Sequence, residues 1–463
     1  MSWSLDQWLA YQTQVHPQAI DLGLERLRAV LDRLGWRQPA VPVVTVAGTN
    51  GKGSVSAYCA AVIRAAGYRV GSFTSPHLRD YRERIRIDGA FVSAAELVNA
   101  FERIEAARGA VGLTFFEFNT LAALLVFEAA RLDAWVLEVG MGGRLDAVNV
   151  VEPDVAVVVS IGFDHQEYLG TTLEAIGREK AGIFRKNRPA VLGADLPGVV
   201  ADTARAIGAP LKRLGVEFSC DTQPPPGGPD GQGPEAQGSV WHYRGPHWDL
   251  PQLPAPALLG AAQVANASIA IAALEEIAYA PRPAARLILP AKAVAQGLRD
   301  VRLPARFQVI APRDGALPQW ILDVAHNPAA AQVLAANLRA SRSAGRTFAV
   351  CGILADKDAA GIAAALSDCV DVWWCTSTDG ARGQSGAALA QTVRAAVRAP
   401  VEVEVAEQLA DACAAAFRNA GPRDRILVFG SFHTVGPAIE WLETHELLPG
   451  AAHPESTAAP RAG

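Results

Sequence analysis

Three short runs of almost uninterrupted apolar residues, each turning at glycine, constrain this chain more than any other feature: V-P-V-V-T-V-A-G at 41–48, A-W-V-L-E-V-G at 134–140 and V-A-V-V-V-S-I-G at 155–162. A strand with one wet face alternates apolar and polar residues; a strand covered on both faces does not. The runs therefore predict strands of a mostly parallel sheet, and the longer helix-like segments between them supply its covers. Ligands of such sheets gather at the carboxyl ends of the strands, where these runs meet glycine.

A second alternating series begins near Arg306, with W-I-L-D-V-A-H (320–326), T-F-A-V-C-G-I-L (347–354), V-D-V-W-W-C-T-S (370–377), V-E-V-E-V (401–405) and R-I-L-V-F-G-S (425–431) as its strands. It predicts a second, smaller α/β domain. The expected boundary lies near 298–305, a polar stretch that carries Pro304, which divides the chain into domains at 1–300 and 301–450 with a flexible tail at 451–463. At 463 residues and 50% hydrophobic content, more than one core is required, because single cores rarely grow beyond roughly 250–300 residues. The Pro- and Gly-dense stretch from Thr222 to Ser239 reads as an exposed insertion without chemistry of its own.

A formal charge of −5 gives no general attraction to nucleic acid or to an anionic membrane, so neither is an expected partner. No window approaches the roughly 20 apolar residues of a membrane span. The six cysteines are scattered without a C-x-x-C pair and read as reduced, packed thiols. A cytoplasmic monomer is expected.

The densest chemical signal is V-V-T-V-A-G-T-N-G-K-G-S-V, from Val43 to Val55, where an apolar run meets three glycines and a lysine before a helix-like segment. Gly48, Gly51 and Gly53 let backbone amides turn inward, Lys52 brings a cation, and the helix offers its N-terminus, so Thr49, Asn50, Gly51, Lys52, Gly53 and Ser54 form a candidate phosphate cradle. Ser54 is placed either to reach a magnesium ion or to cap the helix. The common G-x-x-x-x-G-K-[ST] spacing is not met, because Val46 stands five before Gly51 and Gly53 separates Lys52 from Ser54. The alternative is a glycine-rich turn with a solvated lysine.

Further segments follow in order: T-S-P-H-L (74–78), E-V-G-M-G-G-R-L-D-A-V-N (138–149), D-H (164–165) and R-E-K-A-G-I-F (178–184). Together with the G-T-N-G-K-G-S loop they resemble the folylpolyglutamate synthase/dihydrofolate synthase family of the Mur ligase superfamily, over nearly the whole chain. The resemblance implies an α/β fold, with an N-terminal P-loop-type domain of mostly parallel sheet and a C-terminal Rossmann-like glutamate-ligase domain. It implies ATP and two magnesium ions, with Ser75, Glu138 and His165 as metal ligands and Lys180, if carbamylated, reaching toward the second ion. From the residues alone, Glu138 suits magnesium, whereas His165 reads better as a hydrogen-bonded turn histidine and Lys180 as an ordinary helix lysine.

The implied pterin site comprises Ile20, Asp21 and Leu22; Thr114, Phe115, Phe116 and Glu117; and Leu145, Asp146 and Ala147. Without the family, Phe115, Phe116 and Phe118 read as core. The implied nucleotide contacts are Asn266 and, from the second domain, Arg306, Asp323 and His326, whose alternatives are a surface arginine and an Asp cap. Ser431 or His433 is a candidate contact for glutamate or the folate tail. The implied reaction joins L-glutamate to dihydropteroate, and to tetrahydrofolate or its polyglutamates, through an acyl phosphate, with Lys52, Lys180, Glu138 and His165 as catalytic residues. The alternatives are polyglutamate synthesis alone, a cell-wall Mur ligase, which has an additional N-terminal domain, or a P-loop ATPase switch.

Overall fold

Successive side chains of the buried strands feed two different cores, which is why their sequences do not alternate. In the computed structural model, β1 (Val43–Ala47) sends Val43 and Ala47 into one apolar cluster and Val44 and Val46 into the other. The strand Ala134–Glu138 divides in the same way, with Trp135 and Leu137 on one side and Ala134 and Val136 on the other. The first cluster is closed by the helices Glu25–Leu34, Ala94–Arg108 and Phe115–Ala130. Lys52–Ala65, Gln263–Ala278 and Ala291–Asp300 close the second.

The structure describes residues 3–223, 240–282, 285–311, 316–341, 345–398 and 401–448. The expected tail at 451–463 and all of the expected insertion except Thr222 and Gln223 lie outside them. The chain divides into two compact units, Met1–Leu303 and Pro304–Gly463. In the first, β1 is followed by β2 (Val70–Phe73), β3 (Ile85–Ile87), β4 (Ala90–Phe91), β5 (Ala134–Glu138), β6 (Val155–Val158), β7 (Ala190–Leu192) and β8 (Leu211–Arg213). Their spatial order is β4-β3-β2-β5-β1-β6-β7-β8. From β2 through β8 every pair is parallel, and only β3 and β4 run antiparallel at one edge.

A small antiparallel sheet of β9 (Ser219–Gln223), β10 (Val240–Arg244) and β11 (Asp249–Pro254) also belongs to this unit, and the sequence reading did not anticipate it. Gln223 and Val240 are direct cross-strand partners, so the Pro/Gly-rich stretch leaves and re-enters at the end of one ladder. The wholly buried Glu275 ties this sheet to the helix Gln263–Ala278. It accepts from the Tyr243 hydroxyl at 2.6 Å and from the amides of His247 and Trp248 at 2.5 Å.

The second unit is the predicted α/β layer. It contains β12 (Gln308–Ile310), β13 (Gln319–Asp323), β14 (Thr347–Cys351), β15 (Val372–Thr376), β16 (Glu402–Ala406) and β17 (Arg425–Phe429), in the order β12-β13-β17-β14-β15-β16. All pairs are parallel except β12 with β13. The six cysteines are free, and five of them are buried. Among the described residues, no helix is long and apolar enough to cross a membrane.

Phe118 is wholly buried in the first cluster, beneath the start of the helix that carries Phe115 and Phe116. Phe118→Ala is expected to cost about 3–5 kcal/mol, read as a lower urea midpoint for the transition of the first unit.

Candidate active site

β2, β5, β1 and β6 are four adjacent parallel strands, so their carboxyl ends form one continuous edge. Ser75 follows β2, Glu138 ends β5, the Gly48–Ser54 loop follows β1, and Asp164 and His165 follow β6. At about 4.8 Å per strand spacing, these four stations span roughly 14 Å. The topology thus brings together segments that lie far apart in the chain.

The loop after β1 is held by the loop after β6. The Thr49 hydroxyl donates to the Gly162 carbonyl at 3.1 Å and accepts from the Gly162 amide at 2.9 Å. The Ser160 hydroxyl accepts from the Asn50 amide and donates to the Asn50 carbonyl, each at 2.9 Å. Gly51, at φ +86°, is the N-cap of the helix Lys52–Ala65. A Cβ there would stand 2.8 Å from Val159 Cγ1 and 2.9 Å from Asn266 Oδ1, so Asn266 closes over the loop and only glycine fits. The helix has no side-chain cap and no acidic residue in its first turn, which leaves its positive end suited to an anion. Ser54 lies inside the helix and is buried, so of its two expected roles the capping one is excluded.

Two ammonium groups converge on one carbonyl. Lys52 Nζ donates to Gly48 O at 3.1 Å and to Thr49 O at 3.2 Å, while Lys180 Nζ donates to Gly48 O at 3.0 Å. Lys180 is no ordinary surface lysine: it is buried, and its neighbour Glu179 is engaged with Arg144 at 2.8 Å. Burial first and the Lys52 charge second pull the Lys180 amine down to about 7, against the opposing pull of Asp164 and Asp146. The unfolded chain therefore holds more protons above that value, and this group's contribution to stability rises as pH climbs from about 7 toward the ordinary lysine range.

Burial raises Asp146 to about 6, although the amides of Met141, Val148 and Gly140 and the charge of Lys52 oppose the rise. Asp146 also caps the short helix Ala147–Val150, so it organises the glycine turn after β5. Ala147 is buried and Leu145 half-buried at the same turn.

Ser75 precedes a cis peptide to Pro76, Glu138 is buried, and His165 adopts a left-handed backbone at φ +49°. Among the described residues, no group of three or more His, Cys, Asp or Glu side chains is gathered as a metal cluster. The expected trio has only two such side chains and a hydroxyl. That set still fits a hard divalent ion, which takes few protein ligands where phosphate and water complete its shell. The buried Arg84 was not foreseen. Burial lowers its pKa, the charges of Tyr81, Glu83 and Glu138 oppose the fall, and its Nε donates to His77 Nδ1 at 2.8 Å. Two arginines stand in Y-R-E-R-I, and nothing in the sequence singles out Arg84 as the buried one.

The expected pterin residues have structural work of their own. Thr114 and Glu117 form a reciprocal capping box at the start of the helix Phe115–Ala130. Phe118 is core, whereas Phe115 and Phe116 are half-buried. Phe116 lies on Gly140, where a Cβ would come within 2.5 Å of its ring, and the Arg84 guanidinium sits 5.6 Å from the Phe115 ring centre. Ile20, Asp21 and Leu22 form the half-buried approach to the helix Glu25–Leu34, and Arg26 joins Asp21 to Glu117.

A model of the Mur ligase middle domain matches residues 46–223, and one of the Mur ligase glutamate ligase domain matches 305–432. The dihydrofolate synthase/folylpolyglutamate synthase of Escherichia coli (strain K12) is 40% identical over 440 residues, which is 95% of this chain and 96% of that protein. This chain belongs to the dihydrofolate synthase/folylpolyglutamate synthase family.

Solved structures of the family agree. The Escherichia coli FolC complex with DHPP and ADP superposes with a TM-score of 0.86 at 40% identity, covering 96% of this chain and 99% of that one. A bifunctional folylpolyglutamate synthase/dihydrofolate synthase with Mn, AMPPNP and L-glutamate bound gives 0.82 at 41% identity, with 96% and 98% coverage. The family's α/β fold, with its large parallel-dominated sheet domain, is the one described above.

Within the family's glutamate ligase domain, Arg306 stands between two residues of left-handed backbone, Ala305 at φ +57° and Phe307 at φ +46°. Its guanidinium lies 5.2 Å from the Phe432 ring centre. Asp323 ends β13 and accepts from the amides of Phe307 and Ala325 at 2.8 Å; burial raises its pKa, and Arg306 opposes the rise. The following helix is capped by Asn327, so Asp323 is not its N-cap. His326 Nδ1 lies 2.8 Å from the Val324 carbonyl. Ser431 caps the helix Phe432–Thr444.

Gly51→Ala forces a Cβ into Val159 and Asn266 at positive φ. A left-handed Cβ costs about 1–2 kcal/mol, which is about tenfold in affinity. Titration of a fluorescent ADP analogue is expected to show at least that loss; unchanged affinity would remove this loop from the nucleotide site.

Proposed function

We propose that this chain is an ATP-dependent ligase that joins the amine of L-glutamate to the carboxylate of a folate-type acceptor. It would act on dihydropteroate and on tetrahydrofolate or its polyglutamates. The observation that carries the reading is the phosphate loop with two lysines on Gly48, set one strand from the buried Glu138, in a chain 40% identical across nearly its whole length to a protein of that name.

Amide formation from a carboxylate needs a better leaving group than oxide. The acceptor carboxylate attacks the γ-phosphorus, the bond to the β-phosphate oxygen breaks, and ADP leaves with an acyl phosphate formed. The glutamate amine then attacks the acyl carbon, and phosphate departs with the carboxyl oxygen. Lys52 and the amides at the start of its helix hold the charge that spreads over the transferring group.

Ser75, Glu138 and His165 would hold a magnesium ion, which neutralises phosphate charge when bound. Lys180, with its lowered affinity for protons, is suited to carbamylation and to a second ion. Asn266 closes the loop over the nucleotide, and Arg306, Asp323 and His326 of the second unit are proposed as nucleotide ligands. Ile20–Leu22, Thr114–Glu117 and Leu145–Ala147 are proposed for the pterin ring. The first unit, on this reading, serves ATP, metal and folate, and the second serves glutamate and adds nucleotide contacts. The free, mostly buried cysteines suit a reducing cytoplasm, where a monomer is the expected working form.

Purified enzyme with ATP, magnesium, L-glutamate and each acceptor in turn is expected to give conjugates detectable by mass. No product with dihydropteroate would remove the synthase half of the reading, and phosphate release independent of glutamate and acceptor would favour an ATPase switch. Lys52→Ala and Glu138→Ala are each expected to lower kcat by about 10²–10³ or more with an unchanged melting temperature. Near-normal turnover in either would refute its role. In labelled bicarbonate above pH 7, a ¹³C carbamate resonance is expected in the wild type and not in Lys180→Met; its presence in both would exclude Lys180 as the carrier.

A further inference from the structure

Two of the segments proposed for the pterin ring are joined by one side chain that belongs to neither. Arg26, on the first turn of the helix Glu25–Leu34, directs each of its nitrogens to a different task. Nη1 donates to Asp21 Oδ2 at 2.6 Å, Nη2 to the Asp21 carbonyl at 2.6 Å, and Nε to Glu117 Oε1 at 3.1 Å, with Nη2 also 3.1 Å from that oxygen. Glu117 is nearly closed off from water, and its carboxylate is occupied by Arg26 and by the Thr114 amide. The guanidinium is therefore both the counter-charge of a buried acid and the fastener between the 20–22 loop and the start of the helix Phe115–Ala130.

Asp21 is gripped from a second side. His16 Nε2 lies 3.3 Å from the same Oδ2, and its Nδ1 faces the Gln18 amide and carbonyl. Both grips fall on Oδ2. Among the described residues, Oδ1 makes no hydrogen bond, and about a third of the Asp21 side chain remains exposed. A carboxylate immobilised through one oxygen offers the other as an acceptor of fixed direction, which suits the N–H donors on the amino-pyrimidine edge of a pteridine.

We propose that Arg26 is a positioning residue for the acceptor: it holds Asp21 and Glu117 in one geometry, so that Asp21 Oδ1 meets the N–H edge of the pteridine ring, and His16 completes the grip. This rests on the reading of Asp21 and Glu117 as pterin-site residues. The partners of Arg26 are Asp21 and Glu117, both in segments proposed for the pterin ring, so its loss is expected to act on the acceptor.

Arg26→Lys retains the charge and keeps Glu117 from being stranded, but a single ammonium cannot serve three directions at once. Equilibrium titration with pteroate is expected to show affinity at least about tenfold weaker in Arg26→Lys than in the wild type. The KM for the folate acceptor rises in parallel, while the KM values for ATP and L-glutamate and the melting temperature stay at wild-type values. In a double-mutant cycle, Asp21→Asn adds less in the Arg26→Lys background than alone, because both changes act through one carboxylate.

Unchanged pteroate affinity overturns the proposal, as do additive effects in the cycle. A joint rise in all three KM values with a lower melting temperature marks a merely structural residue and overturns it too. A wild type that binds pteroate but forms no conjugate defeats the ligase reading, and the pteroate titration still decides the role of Arg26. A wild type that binds no pteroate defeats both.

Discussion

Burial of four parallel strands on both faces is the constraint from which the candidate active edge follows. β2, β5, β1 and β6 have no solvent-facing side on which polar residues could sit, so polar chemistry is displaced to their carboxyl ends. There the backbone must turn, and glycine is the residue that turns while letting a neighbour come close. Gly51 under Asn266 and Gly140 under Phe116 are two instances of the same geometric demand.

The electrostatics of that edge are set by the two lysines. Lys52 and Lys180 share the Gly48 carbonyl, and burial together with the Lys52 charge disfavours the charged form of Lys180, with Asp164 and Asp146 as partial compensation. Two cations held this close, one of them buried, cost folding free energy unless an anion arrives. Loss of the Lys180 proton, or its replacement by a carbamate, removes that repulsion and leaves Lys52 as the cation of the loop.

Much of this was legible in the sequence because it rests on local rules. The strands declared themselves by continuous apolar runs, the tight turn after β1 by its glycine spacing, and the α/β character of the second unit by its repeated alternation. What could not be read were relations between distant residues. Ser160 as the clamp on Asn50, Arg84 as neighbour of Glu138, and Arg26 between Asp21 and Glu117 are single polar residues without any local pattern. The sheet of β9, β10 and β11 was missed because a Pro/Gly-rich stretch broke its central ladder in sequence. Thr114 and Glu117 illustrate the opposite difficulty. Their T-x-x-E spacing is a helix-capping signal, and the same two residues also belong to a site expected from family likeness, so one pattern has two causes.

The pairing of Gln223 with Val240 has a consequence for insertion of foreign sequence. Because the two residues face each other across a ladder, the chain between them begins and ends at nearly the same point. The entropy of closing such an excursion grows only with the logarithm of its length. A fused peptide or reporter inserted between them can therefore change in length while both strand ends keep their places.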